Sequence, residues 1–477
     1  MPKNKPVQFI FYLLSFLFLA VFVLKIDGKI LFKNYQIKFV SDDQFIKKGS
    51  SKTSAIEKKT VDSSSHFIDT SKICVYQEKT EDQLDDYVDS LVLVTSQEIN
   101  ESTIKESPFL FNYPVNGVYP LDAFFESLYS SDTSTELYRI AHYGDSQIEG
   151  DRMTAELRKL FKTKFSCDGV GYVPMKDITD PVTYLRQSDA SWNRYTVFTN
   201  KIKGFAYGQG GSVYRYSPAT KETINLNILT SFKKSYLYYG YGSDSSFVDV
   251  YSSRNNLLAT HHLDKKAVFN RIDLGLSSNE TNLHFVFRGP SPSVYGVSFD
   301  GNKGIQFDNY GLRGQSGDDL MLIPQSQLIE MFTKTNTGMA IVQFGGNIVQ
   351  GLKTESSINF YGDMYKKLYL HFQSALTKGS MLIIGINDVS RSVNGTYESY
   401  PNIGTLRYLQ RKAAIDNGMA FFDIYQLMGG ENSIKVWNQK GLASKDGHFG
   451  DKGRNIVCKE LYKALIFEYK KYLQRKK

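Results

Sequence analysis

Hydrophobic and polar residues follow two different patterns along this chain of 477 residues. In residues 108–187, and again from residue 303 onwards, short apolar runs alternate with longer segments whose apolar residues recur at helical spacing. The runs at 340–344 and 381–385 are typical, since polar residues and then a helix-like segment follow each of them. Strands that alternate with helices form a parallel sheet covered by helices. These two parts are therefore predicted to form one α/β domain that is interrupted in the middle.

The intervening residues, 188–302, have the hydrophobic pattern of an all-β structure. The runs at 224–228, 235–239 and 247–251 are short and rich in aromatic and β-branched residues, and Gly, Asn, Ser and Asp residues separate them. Short strands at such spacing are typical of an antiparallel β-sandwich. The sequence thus predicts a β-sandwich inserted between residues 108–187 and 303–477 of the α/β domain.

The N-terminal region has a pattern of its own. Residues 7–24 form an apolar run of 18 residues without a charge, after Lys3 and Lys5. This is long enough to span a bilayer, and no small-residue cleavage site follows it. An uncleaved signal anchor with a cytoplasmic tail at 1–6 is favoured over a removed signal peptide. Residues 25–107 are polar and predict a stalk or linker, with 82–94 as a short ordered segment.

Composition narrows the choice of function classes. The formal net charge of +8 is spread along the chain, and its basic residues do not belong to a nucleic-acid-binding motif. No nucleic-acid partner is therefore expected. Three cysteines, Cys74, Cys167 and Cys458, lie far apart without a C-x-x-C pair. Neither a zinc site nor a disulfide framework follows from that spacing.

The chemistry begins at Gly144, Asp145 and Ser146, which follow an apolar run and precede a helix-like segment. A serine on the turn at the carboxyl end of a strand lies where an open α/β sheet keeps its ligand crevice. The same three residues also suit an ordinary turn and helix cap. Taken alone, the motif is therefore weak evidence for a nucleophile.

Three further segments strengthen it, because they provide the other parts that a nucleophilic serine needs. A base must take the hydroxyl proton, an acid must orient the base, and donors must already face the oxyanion. Ser146 is the candidate nucleophile, His448 the base and Asp446 the orienting acid. The backbone N–H groups of Ser146 and Gly314 and the side-chain amide of Asn347 are the candidate oxyanion donors.

In this order the residues resemble the SGNH (GDSL-type) hydrolase superfamily. Gly144, Asp145 and Ser146 match its first block, Gly314 the second, residues 345–347 the third and His448 the fifth. The resemblance covers roughly residues 120–187 and 303–470, and it is strongest to membrane-anchored Bacteroidetes members encoded near membrane-bound O-acyltransferases. It implies a three-layer α/β sandwich and a serine esterase or acyltransferase that needs no metal or cofactor. Similar peptidoglycan O-acetylesterases carry a β-sandwich at a comparable place.

One departure from the family concerns the orienting acid. The last block is usually D-x-x-H, whereas here Asp446 is only two residues before His448, and Lys445 stands where the acid is expected. Gly447 would let the loop bend so that the carboxylate still reaches the imidazole. Otherwise a backbone carbonyl would have to orient it.

Three more residues are candidates for substrate binding, namely Gln147, Arg313 and Asn387. Gln147 directly follows the nucleophile, and Arg313 next to Gly314 suits either an anionic sugar or a surface salt bridge. Asn387 belongs to a second G-x-N-D segment that rivals Asn347, and we expect it at the rim of the site. His142, before the nucleophile, is expected to give packing or polar support. Most aromatic residues of the insert are expected to pack, with a sugar-stacking platform as the alternative.

Together these observations predict an enzyme anchored in the inner membrane, with its catalytic domain in the periplasm or at the cell exterior. Its partner would be an O-acetylated cell-surface polysaccharide or peptidoglycan, deacetylated through an acetyl-Ser146 intermediate. With water as acceptor the enzyme is an esterase. With a sugar hydroxyl it is an O-acetyltransferase, for which the resemblance implies a membrane-bound O-acyltransferase as partner. A non-catalytic glycan-binding scaffold is the remaining alternative.

Overall fold

The computed structural model describes residues 29–32, 35–38, 79–104, 111–114, 117–176, 178–188, 192–216, 222–277 and 279–477. The chain divides into two compact units, Met1–Ile68 and Asp69–Lys477. The predicted cytoplasmic tail (1–6), the membrane span (7–24) and most of the stalk lie outside the described residues. Among the helices that are described, none combines the length and apolar character that a bilayer crossing requires.

The described part of the first unit is a two-stranded antiparallel hairpin. Strand β1 is Lys29–Phe32 and strand β2 is Tyr35–Lys38, paired so that Lys29 lies opposite Lys38.

A six-stranded sheet forms the centre of the second unit, in the order β16-β4-β17-β18-β21-β3. The first five strands are parallel and only β3 is antiparallel to its neighbour. Their bounds are β3 Phe111–Asn112, β4 Leu137–Gly144, β16 Gly304–Gly311, β17 Thr337–Gln343, β18 Ser380–Ile384 and β21 Ala420–Phe422. Because helices cover both faces of such a sheet, its strands appear in the sequence as continuous apolar runs.

Helices from the described residues cover both faces of this sheet. Their bounds are α1 Glu81–Ser96, α2 Asp122–Tyr129, α3 Arg152–Lys162, α4 Gln325–Thr335, α5 Glu355–Ala375, α6 Ile403–Asp416, α7 Ile424–Met428, α8 Ser433–Gln439 and α9 Asp451–Lys476. Successive residues of β4 point to opposite faces, so Ile140 packs with α2, α3 and α9, whereas Ala141 packs with α4, α5 and α6. The predicted α/β domain, with helices on both sides of a parallel sheet, is confirmed.

Two antiparallel sheets lie between β4 and β16 in the sequence. One has the order β13-β10-β15-β8-β7 with β5 also on β15, and the other has the order β12-β11-β14-β9-β6. The bounds are β5 Gly169–Val173, β6 Tyr184–Ser188, β7 Asn193–Thr196, β8 Ser212–Arg215, β9 Glu222–Ile228, β10 Lys234–Gly240, β11 Phe247–Ser252, β12 Leu257–His262, β13 Asn270–Asp273, β14 Asn282–Arg288 and β15 Ser293–Asp300. The first of these strands begins at Gly169, ahead of residue 188, where the sequence pattern placed the start of the insert.

The two sheets share one hydrophobic core. Leu237 of one sheet and Val250 and Phe285 of the other are fully buried in it. Trp192, Tyr214 and Tyr216 also lie there, together with the core residues of both sheets. These three aromatic residues pack in the interior, so they do not form an exposed sugar-stacking platform.

A buried ion cluster fastens the sandwich to the central sheet. The guanidinium of Arg139, on β4, donates to Asp308 Oδ1 on β16 at 2.8 Å and also pairs with Asp300 at the end of β15. All three side chains are buried. Tyr172 of β5 adds its backbone N–H to Asp308 Oδ1 at 2.9 Å. The inserted strands and the parallel sheet therefore meet around one set of charges.

Candidate active site

The candidate nucleophile lies on a tight turn after β4. Gly144 ends the strand, and a Cβ there would lie 3.0 Å from both the Gln343 carbonyl oxygen and the Ile148 side chain, so a larger residue would crowd this turn. The Arg152 guanidinium donates to the Glu149 carbonyl at 2.8 Å and to the Ser146 carbonyl. Arg152, which the sequence analysis did not single out, thus holds the turn from its far side.

Three side chains form a hydrogen-bonded relay across this turn. Ser146 Oγ is 2.7 Å from His448 Nε2, and His448 Nδ1 is 3.0 Å from Asp446 Oδ1. The structure therefore brings the three predicted catalytic residues together, although 302 residues separate the serine from the histidine. These distances are those of a nucleophile, a base and the acid that orients the base.

Asp446 reaches the imidazole despite the shortened D-x-H spacing. Gly447 adopts a φ of +86°, which bends the loop back so that the carboxylate and the ring lie side by side. The positive φ favours glycine, and a Cβ at Gly447 would also lie 2.7 Å from Asn387 Nδ2 and 3.1 Å from the Asp388 carbonyl oxygen, so a side chain here would crowd the loop. Lys445, at the position where the family pattern expects the acid, instead has its ammonium 4.0 Å from the centre of the Tyr397 ring.

The Asp446 carboxylate is held in its charged form. Burial alone would raise its pKa, but hydrogen bonds from Ser444 and His448 outweigh that effect and hold the pKa below its ordinary value. Ser444 Oγ donates to the same oxygen that faces the imidazole. Ser444 is a second residue that sequence reasoning missed, and its only signal is its place two residues before the acid.

Two amide side chains form hydrogen bonds with the loop that carries His448. Gln147 Nε2 donates to the Gly447 carbonyl at 2.9 Å, while Gln147 Oε1 accepts from the Phe449 N–H at 3.0 Å. Asn387 Nδ2 donates to the same Gly447 carbonyl at 3.0 Å. The sequence suggested that Gln147 and Asn387 bind the substrate. In the structure, Gln147 bonds main-chain atoms on both sides of His448, and Asn387 bonds the main chain just before it. Both amides therefore make the contacts of positioning residues.

Two backbone N–H groups are available for an oxyanion. Within the described part of the chain, neither the Ser146 N–H nor the Gly314 N–H has a hydrogen-bond acceptor. Gly314 has a φ of +75°, which an ordinary side chain rarely adopts, and this explains the glycine at that turn. Such unpaired donors are what an oxyanion hole requires.

Asn347 makes different contacts from those expected. Its Nδ2 donates to Asp145 Oδ2 at 3.0 Å and to the Gln315 carbonyl at 3.0 Å, so both of its N–H groups are used. It links the turn of Ser146 to the turn of Gly314. An oxyanion role would require Asn347 to give up one of these bonds, and that role stays a prediction. Burial raises the pKa of the bonded Asp145 carboxyl to about 6.

Arg313 forms an ion pair at the edge of the site. Its Nε donates to Glu149 Oε2 at 2.8 Å and its Nη2 donates to Thr179 Oγ1 at 2.7 Å. The Glu149 carboxylate is buried, whereas the Arg313 side chain is 52% exposed. Of the two alternatives for Arg313, the structure therefore has the salt bridge, and one side of the guanidinium still faces solvent.

His142 supports the strand from within. Its Nδ1 lies 3.1 Å from Thr154 Oγ1 and its Nε2 lies 3.2 Å from Gln343 Oε1. Burial lowers the pKa of His142 to about 4, so the ring is neutral at physiological pH. Packing and polar support, the expected role, is what these contacts provide.

Comparisons with known proteins give a likeness in fold. No protein-family model matches this chain, and neither does any curated protein sequence. A solved peptidoglycan O-acetylesterase matches 76% of this chain and 99% of its own, with 18% identity and a TM-score of 0.62. An acetyl xylan esterase covers 34% of this chain and 80% of its own at 16% identity, with a TM-score of 0.27. A GDSL-like lipase from Bacteroides thetaiotaomicron covers 34% and 76% at 14% identity, with a TM-score of 0.26.

Proposed function

We propose that this chain, which has the fold of the SGNH hydrolases, is a serine esterase that removes O-acetyl groups from a polysaccharide. The observation that carries the proposal is the relay of Ser146, His448 and Asp446 beside two unpaired backbone N–H groups. A fold alone does not require this combination. A nucleophile, its base, the orienting acid and two oxyanion donors are the groups that acyl transfer through a serine requires.

In the first half of the reaction, Ser146 Oγ attacks the acetyl carbonyl carbon and His448 Nε2 takes the hydroxyl proton. The negative charge that develops on the carbonyl oxygen is received by the N–H groups of Ser146 and Gly314. Asp446 holds the imidazole in the correct orientation and stabilises its positive charge. His448 then returns the proton to the sugar oxygen, the C–O bond to the sugar breaks, and acetyl-Ser146 remains.

In the second half, a water molecule gives a proton to His448 and attacks the acetyl carbon. The bond to Ser146 Oγ breaks and this proton passes from His448 to that oxygen. Acetic acid leaves and loses the second proton of the water to solvent, which gives acetate. Water is the only co-substrate that this hydrolysis needs. A sugar hydroxyl in place of water would give the transferase reaction with the same residues.

The polysaccharide substrate is supported by the kind of protein that shares this fold. The solved peptidoglycan O-acetylesterase is matched over 99% of its own length by 76% of this chain. We assign the same chemical class, an O-acetylated cell-envelope glycan, to this chain. In the same proposal, residues 7–24 anchor the protein in the inner membrane, and deleting them would release the chain from membrane fractions.

The nucleophile is tested by a fluorophosphonate, which modifies only an activated serine. We expect one label per chain at Ser146 and no label in the Ser146→Ala variant. Asp446→Asn should label at least tenfold more slowly, since general base assistance contributes about 10²- to 10⁴-fold. A folded protein that takes no label would exclude the catalytic proposal and leave the glycan-binding scaffold.

Whether water or a sugar hydroxyl receives the acetyl group from Ser146 is tested separately, with an acetylated glycan and an added unacetylated one. We expect free acetate to account for the acetyl groups lost. Acetyl groups that appear instead on the added glycan in mass spectra would identify a transferase.

A further inference from the structure

We infer that the outer face of one inserted sheet is a groove that binds a neutral polysaccharide chain and presents it to the serine. The inference rests on the proposed function, because it names how that site would hold its substrate. The groove has a volume of about 560 Å³ and crosses the strands β6, β9, β14 and β11. Its lining includes Leu185, Gln187, Asn225, Asn227, Asn282 and His284.

Amide side chains line the groove in rows across the sheet. Gln187 lies opposite Asn225, Asn225 opposite His284, and His284 opposite Tyr251. With strands about 4.8 Å apart, this row is about 14 Å long. A second row runs beside it from Leu185 through Asn227 to Asn282.

These amides are free to bind a ligand. Within the described residues, the side chains of Gln187, Asn225, Asn227 and Asn282 form no hydrogen bond. An amide offers both donors and acceptors, so such a row matches a ligand that carries many hydroxyl groups. The aromatic pair of Tyr251 and His284, with ring centres 6.0 Å apart, ends the row.

The balance of charge favours a neutral occupant. Among the residues that line the groove, the Asp180 carboxylate and the Arg186 guanidinium offset each other, and the remaining side chains are uncharged amides, hydroxyls, His284 and apolar groups. Leu185 is 58% exposed and gives the groove an apolar strip. Hydroxyl-binding amides beside apolar surface suit the two kinds of surface on a sugar ring. A neutral glycan fits this pattern better than an anionic one.

The groove connects to the candidate active site through one loop. Asp180 and Pro181 line its end, while the neighbouring Thr179 donates to Glu149 Oε2 at 2.7 Å and accepts from Arg313. The Val182 N–H donates to the Gly150 carbonyl at 3.1 Å. The same short loop therefore touches the turn after Ser146 and forms one end of the groove.

Binding is tested without turnover, in the Ser146→Ala chain, by calorimetry with xylohexaose and chitohexaose. We expect at least one of them to bind, and the change Gln187→Ala/Asn225→Ala to weaken binding about tenfold through the loss of two amides. Gln474→Ala, which removes an exposed amide from α9, is the matched control and should bind as before. Both groove positions are exposed, so thermal unfolding should be unchanged.

Catalysis on a small ester separates this inference from the proposed function. With Ser146 intact, the groove variant should hydrolyse p-nitrophenyl acetate at the normal rate, while its KM for acetylated polymer rises about tenfold. Equal affinity in the groove variant, or no binding of either oligosaccharide, overturns the groove. Binding without any ester hydrolysis would keep the groove and overturn the esterase.

Discussion

At the scale of single residues, the place of His448 depends on the amide of Gln147. A histidine on a loop is mobile unless neighbouring groups fix it, and Gln147 does so by bonding the main chain before and after the ring. Because Gln147 directly follows Ser146 in the sequence, the residue beside the nucleophile also sets the place of the base. A change in this amide would therefore alter the distance between the two reacting groups.

We predict that Gln147→Ala lowers kcat for p-nitrophenyl acetate by about tenfold to a hundredfold, since small misplacements of catalytic groups are costly. KM should change little, because the amide contacts the loop and not the substrate. Gln147→Glu keeps the acceptor for the Phe449 N–H and loses the donor to Gly447. Its kcat should lie between those of the native chain and Gln147→Ala. A raised KM with normal kcat would instead support the substrate-binding role that the sequence suggested.

The residues of the relay were predictable and their supports were not. Ser146 and His448 stand in short motifs whose chemistry is visible in the sequence. Gln147 and Asn387 act on main-chain atoms of a loop that lies far away in sequence, and no local pattern marks such a partner. For the same reason the two bonds of Asn347 to Asp145 and Gln315 could not be foreseen.

At the scale of elements, the loop of His448 rests on the hairpin of β19 (Ser390–Val393) and β20 (Thr396–Ser399). Ser390 Oγ donates to the Lys445 carbonyl at 2.6 Å. Residues 387–389, which lead into this hairpin, crowd Gly447, since a Cβ there would lie 2.9 Å from Val389 Cγ2 and 3.1 Å from the Asp388 carbonyl oxygen.

We predict that Gly447→Ala lowers activity at least a hundredfold, because the added methyl group meets Asn387 and displaces His448. Gly275→Ala is the control, since Gly275 has a similarly positive φ of +68° but nothing within 4 Å of the added carbon. Comparable activity in the two variants would show that the crowding at Gly447 is unimportant.

Asp388 holds the same hairpin through a buried carboxyl group. It accepts from Ser399 Oγ at 2.6 Å and from the Ile434 N–H at 3.0 Å, at the start of α8. Burial raises its pKa to about 6, against an ordinary value of 3.8. Since the folded pKa is the higher one, the folded chain binds the extra proton, and this contribution to stability is lost as the pH rises from about 4 to about 6.

We therefore predict that the stability difference between the native chain and Asp388→Asn shrinks by about 3 kcal/mol over that interval, at about 1.4 kcal/mol per unit of pKa. Urea unfolding at pH 4, 5, 6 and 7 measures it. A difference that is independent of pH would mean that Asp388 titrates normally in the folded chain.

At the scale of the whole molecule, the insert is part of one compact unit with the parallel sheet. Arg139 joins β4, β15 and β16 with its guanidinium fully buried. Removing one member of such a cluster leaves charges buried without a partner, which costs much more than the loss of a surface pair.

We predict that Arg139→Met lowers the free energy of unfolding by about 3–5 kcal/mol. Arg391→Met, which breaks a pair with Glu398 in which both side chains are exposed, should cost about 0–1 kcal/mol. Denaturant unfolding of the two variants gives the comparison. Equal losses would mean that the buried cluster does not join the sandwich to the sheet.

The sequence predicted the architecture because the two kinds of strand differ in pattern. Buried parallel strands are continuous apolar runs, whereas half-exposed antiparallel strands alternate apolar and polar residues. The sequence placed the start of the insert too late for a physical reason. Strand β5 carries Gly169 and Gly171, which have positive φ and lie against other strands, so it lacks the alternation of its neighbours. At Gly171 an added Cβ would lie 2.4 Å from Asp308 Oδ1, a contact that only the folded chain reveals.

The most direct test of the proposed serine mechanism is the release of acetate by the full chain from acetylated xylan and O-acetylated peptidoglycan, with Ser146→Ala and Asp446→Asn measured beside it. The proposed mechanism predicts acetate from the native chain, none above background from Ser146→Ala, and a rate about 10²- to 10⁴-fold lower from Asp446→Asn. Acetate released equally by the Ser146→Ala variant would contradict it, as would a folded native chain that releases none from either substrate.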